Sequence, residues 1–271
     1  PPASEKPAAK PARIAVVLGA GAAKGFAHVG VLKVLEANKV PIHMVVGTSA
    51  GSFVGSLYAY GYDAYQLQKF AFTIEQGDVA DFTIPDNGFI KGEKLEEFIN
   101  RSVRQTPIEK LRIPFFAVAT DIQTGMELVF GKGNTGTAVR ASCSIPGIFR
   151  PVMLGDRMYV DGGVVSPVAV DAARRQGADI VIAVDVSGGG ERALPQGTMQ
   201  TILQSVNIMY SRIAAAQLAN ADVVIRPKVG GIASGDFSKR HDAVLEGEKA
   251  AADAMPTIRA ILDKLRSEGR I

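Results

Sequence analysis

Residues 47–51 (GTSAG) place a serine at the centre of a G-x-S-x-G pentapeptide, between an apolar run and a helical pattern. In a strand-to-helix turn of this type the backbone is strained and the serine hydroxyl is exposed, as a nucleophile requires. Gly47 and Gly51 remove side chains where the chain turns sharply and packs closely, and the helix N-terminus favours developing negative charge. Ser49 is therefore a candidate nucleophile. The alternative is an ordinary turn in which Ser49 caps the helix.

A second glycine-rich segment, residues 19–25 (GAGAAKG), also joins a predicted strand to a predicted helix. Lys24 stands where a dinucleotide-binding loop needs its third glycine, and the Gly-Lys-Ser/Thr ending of a Walker A loop is absent. The remaining interpretation is a loop whose backbone N–H groups face an anion, which in acyl transfer is an oxyanion hole. A nucleotide- or phosphate-binding module on this loop is the alternative from another functional class.

A nucleophilic serine needs a base, and the three histidines are poorly placed to provide one. His28 lies within the first predicted helix, as a packing or capping residue. His43 lies in the second predicted strand, at the end far from Ser49. His241 falls late in the chain, where a triad histidine can occur, but its polar surroundings in residues 238–242 (SKRHD) predict a surface position.

A carboxylate is the other candidate base. Asp161 comes directly after a predicted strand and is followed by Gly162 and Gly163, which leave the backbone open to close approach. A carboxylate becomes a useful base for a hydroxyl when burial raises its pKa. An Asp-Gly pair is also typical of an ordinary turn, and spacing alone does not select Asp161.

Alternating strands and helices must position these segments. Residues 13–18 and 42–46 are predicted strands, and 26–38 and 52–60 are predicted helices, which together form a βαβ unit of a parallel sheet. Further predicted strands are 113–119, 127–130, 152–154, 157–160, 179–186 and 223–226. Further predicted helices are 137–143, 167–176, 199–220 and 242–266, the last with a break at Pro256. Residues 62–110 are mostly helical, with loops at 77–78 and 85–88. The fold class is α/β, with one domain over residues 13–271 after a Pro/Ala-rich flexible linker over residues 1–12.

Composition excludes several functional classes. The 271 residues carry a net charge of +3 without a run of basic residues, which argues against nucleic acid as a partner. The one cysteine, Cys143, allows no intrachain disulfide and no zinc-binding spacing, so we expect no metal. No apolar run reaches the length of a membrane helix. The linker-like start slightly favours an exported or periplasmic protein over a cytoplasmic one, and a lipid anchor through a missing N-terminus is one form that such a protein takes.

Taken in order, these segments resemble the bacterial patatin-like phospholipases. The resemblance rests on residues 19–25, on GTSAG at 47–51 and on DGG at 161–163. It extends to FAHVGVL at 26–32, ATD at 119–121 with TG at 124–125, ASCSIPGIF at 141–149 and GADIVIAVDV at 177–186, and it spans residues 13–262.

The resemblance implies a Ser–Asp dyad without histidine, with Ser49 as nucleophile and Asp161 as base. It implies an oxyanion hole made by the backbone of Gly21, Ala22 and Ala23, where an alanine at 22 suits the loop if its φ is negative. Lys24 stands at a position that is usually arginine in the family. Lysine keeps the charge but lacks the bidentate fork, which puts a phosphate clamp in doubt.

The same resemblance implies a three-layer α/β/α fold with a mostly parallel central sheet. It implies a phospholipase A, lysophospholipase or lipid carboxylesterase that needs no cofactor and takes a phospholipid or lysophospholipid as substrate. A peripheral membrane contact fits such a substrate, and a homodimer is the default among soluble oligomers. A catalytically silent lipid-binding protein is the alternative. Phe53, Leu57, Phe70 and Phe72 are candidates to line an acyl channel, although core packing explains each of them individually.

Overall fold

The computed structural model describes residues 9–81, 88–188, 192 and 194–271. Within these residues the strands are β1 (Ile14–Leu18), β2 (Met44–Thr48), β3 (Phe115–Asp121), β4 (Glu127–Phe130), β5 (Val152–Leu154), β6 (Arg157–Asp161), β7 (Ile180–Val184) and β8 (Val223–Ile225). The helices are α1 (Ala27–Ala37), α2 (Ala50–Tyr60), α3 (Ala64–Thr73), α4 (Gln76–Val79), α5 (Glu93–Ser102), α6 (Thr135–Ser142), α7 (Val170–Arg175), α8 (Thr198–Leu218) and α9 (Arg240–Ser267). Short 3-10 helices cover Ala22–Phe26, Ile108–Lys110, Gly162–Val164 and Phe237–Lys239.

The strands form one mixed sheet in the order β5-β6-β3-β2-β1-β7-β8, with β4 pairing to β3 outside this path. Strands β3, β2, β1, β7 and β8 run parallel to one another. Strands β4, β5 and β6 pair in antiparallel fashion. The predicted mostly parallel sheet is therefore confirmed, with an antiparallel end that carries Asp161.

Side chains of the central strand alternate between two apolar cores. Ile14, Val16 and Leu18 pack into the core formed with α1, α2, α3, α5 and α9. Ala15 and Val17 pack into the opposite core, formed with α7 and α8. A strand buried on both faces reads as a continuous apolar run because each side chain has a helix layer above or below it. This arrangement confirms the predicted three-layer α/β/α fold.

Several predicted boundaries were wrong, and the loop predicted at 77–78 is part of α4. β2 runs from Met44 to Thr48 instead of over 42–46, so the strand continues through Gly47 to the residue before Ser49. α7 begins at Val170 instead of at 167. α9 passes through Pro256 without the predicted break. Pro256 lies on the exposed face of α9, where water can solvate the carbonyl that loses its hydrogen bond, while Met255 and Ile258 hold the helix to the core.

The described part of the predicted linker is hydrogen-bonded to the C-terminal end of the chain. The Ala12 amide donates to the Arg270 carbonyl at 2.9 Å, and the Arg270 Nε donates to the Lys10 carbonyl at 3.0 Å. Ala12 is buried, so the last residue of the predicted linker packs beside the segment that follows α9. Residues 1–8, and most of the loop predicted at 85–88, lie outside the described residues. None of the helices in the described ranges has the length and apolar character needed to cross a bilayer.

Candidate active site

Ser49 occupies a strained turn between β2 and α2. Its φ of 54° and ψ of −123° lie outside the regions that a residue with a side chain normally adopts. Such a conformation costs about 1–3 kcal/mol and persists only where the surroundings enforce it. The Ser49 amide donates to Ser142 Oγ at 2.9 Å, and Ser142 Oγ donates in turn to the Val118 carbonyl at 2.6 Å. Two neighbouring elements therefore hold the turn in place.

Strand β3 brings Asp161 alongside Ser49. Val118 of β3 pairs with Thr48 at the end of β2, and the next residue, Ala119, pairs with Asp161 at the end of β6. β6 thus pairs with the same edge of β3 as β2 does, and its pairing starts at the residue after the last one that pairs with β2. Because Ser49 follows Thr48 directly, the hydroxyl and the carboxylate meet beside the same two residues of β3.

The Asp161 carboxyl group is fully buried, with 0% of the residue exposed. Its Oδ1 accepts a hydrogen bond from the Gly163 amide at 2.7 Å. Its Oδ2 makes no hydrogen bond of standard length and angle within the described part of the chain. Burial raises the pKa of Asp161 to about 6, and smaller opposing effects come from the hydroxyl of Ser49, the amide of Gly163 and the hydroxyl of Tyr210. A carboxylate with this pKa is ionised at neutral pH and is still a better proton acceptor than an exposed aspartate.

The loop before α1 offers backbone amides at the same edge of the sheet. Among the described residues no carbonyl accepts the amides of Gly21 and Ala22, whereas the Ala23 amide already donates to the Ser234 carbonyl at 2.9 Å. In this conformation Gly21 and Ala22 are the available donors of the predicted set. An alanine at position 22 was expected to suit the loop if its φ is negative, but the φ of Ala22 is +50°. An alanine in this region is strained by about 1–2 kcal/mol relative to its usual conformation.

Lys24 points away from the pocket beside Ser49. Its side chain is buried, and a Cβ added at Gly188 would lie 3.1 Å from Nζ. Burial lowers the pKa of Lys24 to about 8, the positive charge of Arg192 lowers it further, and Asp185 opposes both. Lys24 is absent from the described residues that line the pocket.

The glycines singled out around the two motifs lie where backbones touch. A Cβ on Gly51 would fall 1.9 Å from the Leu18 carbonyl oxygen, and one on Gly47 would fall 2.5 Å from the Gly51 carbonyl oxygen. A Cβ on Gly162 would fall 2.1 Å from the Val118 carbonyl oxygen. These approaches are shorter than any tolerated carbon–oxygen contact, so the glycines set how closely α2 and the Asp161 turn pack against the sheet.

An apolar pocket of about 210 Å³ opens onto Ser49, Ala22 and Ala23. Three of the four predicted channel residues, Phe53, Leu57 and Phe70, line it. Phe72 does not contribute to the described lining, and its ring stacks on His241 with centroids 3.9 Å apart. The other apolar side chains come from several helices and loops and include Phe26, Val29, Leu67, Ile74, Leu95, Ile148, Met199 and Leu203.

The histidines take structural positions. His28 is buried, and its Nε2 lies 2.7 Å from the Gly19 carbonyl, where it donates a hydrogen bond that fixes the loop. Burial lowers the pKa of His28 to about 4, so the ring is neutral at pH 7. His43 Nδ1 accepts from the Ile14 amide at 3.0 Å. His241 is exposed in the first turn of α9 and is absent from the described pocket lining.

His241→Ala is expected to change the rate of lipid ester hydrolysis by less than about twofold. The stacked contact with Phe72 is lost, and a contact of this kind contributes about 0.5–1.5 kcal/mol to stability. Steady-state hydrolysis and a thermal melt of the variant measure both effects. A rate that falls by two orders of magnitude in a folded variant would restore the histidine triad as the explanation.

Two residues at this site were not predicted from the sequence. Ser142, which holds the turn at Ser49, lies in the segment 141–149 that carried part of the resemblance, yet its type alone did not reveal this contact. Tyr210 of α8 packs beside Asp161, and a Cβ on Gly163 would fall 2.1 Å from its ring. Only a tertiary contact between distant segments could have identified Tyr210.

Residues 16–174 match the family model described as patatin-like phospholipase, which is more than half of the chain. The chain belongs to the patatin-like phospholipase family. Family relatives include patatin-like phospholipase domain-containing protein 6 of Homo sapiens, 37% identical over 189 residues, with 67% of this chain and 14% of that protein covered. An NTE family protein of Mycobacterium bovis is 34% identical over 182 residues (65% and 49% covered). Lysophospholipase NTE1 of Candida glabrata is 35% identical over 185 residues (66% and 11% covered). The chain therefore spans half or less of the length of these relatives.

Solved structures share the patatin-like fold. VipD from Legionella pneumophila superposes with a TM-score of 0.53 at 12% identity, covering 93% of this chain and 68% of that chain. The type III effector protein ExoU superposes with a TM-score of 0.51 at 13% identity, covering 93% and 54%. At these identities the likeness concerns the fold.

Proposed function

We propose that this patatin-like protein is a serine lipid-acyl hydrolase in which Ser49 and Asp161 form the catalytic dyad. One observation carries the proposal. A serine on a strained strand-to-helix turn faces an apolar pocket and lies beside a buried carboxylate with a raised pKa. A nucleotide- or phosphate-binding module would instead place cationic or hydrogen-bonding side chains around the loop, whereas the pocket here is lined mainly by apolar groups.

In the proposed reaction Ser49 Oγ attacks the ester carbonyl carbon while its proton passes to Asp161. The amides of Gly21 and Ala22 stabilise the oxyanion of the tetrahedral intermediate, and loss of one such donor costs about 3 kcal/mol. The intermediate collapses to an acyl-enzyme, and the departing alcohol takes the proton from Asp161. Asp161 then deprotonates a water molecule that attacks the acyl group, which releases the fatty acid and restores the Ser49 hydroxyl.

The apolar pocket supports a fatty acyl chain as the group that is transferred, because lipid chains bind by removal of apolar surface from water. A phospholipid or lysophospholipid is the proposed substrate class, in agreement with the names of the relatives. A peripheral membrane contact is also proposed, since Ile122 and Met126 are exposed on the turn between β3 and β4, and Met153 is exposed on β5 at the same edge of the sheet. A homodimer stays a prediction, which light scattering tests.

The function is tested by mass-spectrometric detection of fatty acid released from phosphatidylcholine and lysophosphatidylcholine. Hydrolysis of either lipid by the wild-type protein, with loss of at least about 10³-fold in Ser49→Ala, is the expected result. Equal rates for the two proteins would contradict the proposal. Lipid binding without turnover by the folded wild-type protein would favour a silent lipid-binding protein.

Ala71→Leu is expected to lower kcat/KM for long-chain esters about tenfold relative to short-chain esters. Ala71 is buried on α3 and lines the pocket, so a larger side chain displaces about two methylene groups of a long chain, at about 0.8 kcal/mol each. Rates on a series of acyl chain lengths measure the effect. Tyr65→Leu introduces the same side chain at an exposed position of α3 and serves as the control. An unchanged chain-length profile in Ala71→Leu would show that the chain binds elsewhere.

A further inference from the structure

Tyr210 lies against the backbone that holds the proposed catalytic carboxylate. Only 5% of the residue is exposed, although it belongs to α8, whose other turns carry exposed side chains. A Cβ added at Gly163 would fall 2.1–2.6 Å from three carbons of the Tyr210 ring. Gly163 is the residue whose amide donates to Asp161 Oδ1. Because Gly163 has no side chain, the ring of Tyr210 can lie against the turn at Asp161.

Two buried polar atoms meet in this contact without a standard hydrogen-bond partner in the described part of the chain. They are Asp161 Oδ2 and the Tyr210 hydroxyl. Buried polar atoms are nearly always paired, and an unpaired one calls for an explanation. A phenol can donate its proton, and an ionised carboxylate oxygen can accept at two lone pairs. The two atoms therefore complement one another.

The Tyr210 hydroxyl stays protonated, and so can donate a hydrogen bond, over the pH range in which hydrolysis is measured. Burial raises the pKa of Tyr210 far above its ordinary value, and the charge of Asp161 raises it further. Cys143 also faces Asp161, but burial raises the pKa of its thiol, so that group stays neutral. The groups that face the carboxylate are thus the hydroxyls of Ser49 and Tyr210, the amide of Gly163 and the Cys143 thiol.

We propose that Tyr210 is a positioning residue whose hydroxyl donates a hydrogen bond to the ionised Asp161 carboxylate and so orients it toward Ser49. The inference rests on the proposed dyad. It also assigns α8 a part in the site, although α8 starts at Thr198, beyond the end of the family match at residue 174.

A hydrogen bond to the ionised form of an acid favours that form. Tyr210→Phe keeps the ring that packs on Gly163 but removes the donor, so the pKa of Asp161 is expected to rise. Hydrogen bonds to charged groups are strong enough to move it by about one pH unit. The acidic limb of the kcat/KM profile should therefore shift to higher pH, while the rate at pH 9 falls much less than the rate at pH 6.

The test compares wild type, Tyr210→Phe and Tyr58→Phe. Tyr58→Phe removes a hydroxyl that faces a different carboxylate, Glu36, and it lies outside the described pocket lining, which makes it a matched control. The pKa of Asp161 is read by NMR of protein labelled with ¹³C at aspartate carboxyls, with the signal assigned by its absence in Asp161→Asn. Fatty acid release is measured over the same pH range.

The expected result is that the pKa of Asp161 and the pH of the acidic limb of the kcat/KM profile both rise by about one unit in Tyr210→Phe. Neither value should change in Tyr58→Phe. An unchanged Asp161 pKa, or a loss of activity that is the same at every pH, would overturn the positioning role. If Asp161→Asn keeps full activity, the dyad itself fails. The NMR titration of Tyr210→Phe still decides whether the hydrogen bond exists.

Discussion

Asp161→Asn is expected to lower fatty acid release at pH 8 by at least about 10³-fold, because the amide cannot accept the Ser49 proton. The same change is expected to make the folded protein more stable at pH 8. The carboxylate is fully buried and ionised at this pH, whereas asparagine carries no charge to desolvate. Activity and stability therefore move in opposite directions, as expected when a strained site serves function.

The pH dependence of this stability follows from the pKa of Asp161, which rises from 3.8 when free to about 6 in the folded protein. The group stabilises the fold below pH 4, where it is protonated in both states, and this contribution is lost as pH rises through 6. A shift of about two units corresponds to about 3 kcal/mol. Urea denaturation of wild type and Asp161→Asn at pH 4 and pH 8 measures it. If the free energy of unfolding of the wild type, relative to that of Asp161→Asn, increased from pH 4 to pH 8, the result would contradict the raised pKa.

Gly51→Ala is expected to destabilise the fold by at least about 3 kcal/mol, at the upper end of the cost of overpacking. The added Cβ would fall 1.9 Å from the Leu18 carbonyl oxygen and 2.4 Å from its carbon, both of which belong to the backbone of the central strand β1. α2 must move away from β1 to relieve the clash. Because Ser49 is the residue that precedes α2, any protein that still folds should hydrolyse lipid far more slowly.

Gly77→Ala provides the matched control for this change. Gly77 lies in α4, and a Cβ at this position would meet nothing within 4 Å. Alanine is favoured over glycine in a helix by about 1 kcal/mol, so this variant should be slightly more stable and equally active. Chemical denaturation and hydrolysis of both variants make the comparison. Similar stabilities for Gly51→Ala and Gly77→Ala would show that α2 does not pack on β1 as described.

The fold and the dyad candidates could be predicted because their signals are local. The apolar run at β1, the glycines around Ser49 and the glycine pair after Asp161 each lie within a few residues of sequence. The proximity of Ser49 and Asp161 depends on β3, where Val118 and Ala119 pair with two different strands. No pattern within one segment encodes such a register, which is why spacing alone did not select Asp161.

Features that depend on tertiary packing escaped sequence analysis. Ala22 adopts a positive φ because the loop is held at Gly19 by His28 and at Ala23 by Ser234, which overrides the local preference of alanine. Pro256 continues a helix because buried neighbours hold it. Tyr210 reaches Asp161 from a helix distant in sequence.

Labelling with a fluorophosphonate probe, followed by peptide mapping, tests the central claim most directly, since the probe reacts with a serine only when the residue is activated. The predicted result is one adduct, on Ser49, that is retained in His241→Ala and absent from Asp161→Asn. An adduct that persists in Asp161→Asn, or a folded wild-type protein without any adduct, would contradict the Ser49–Asp161 dyad.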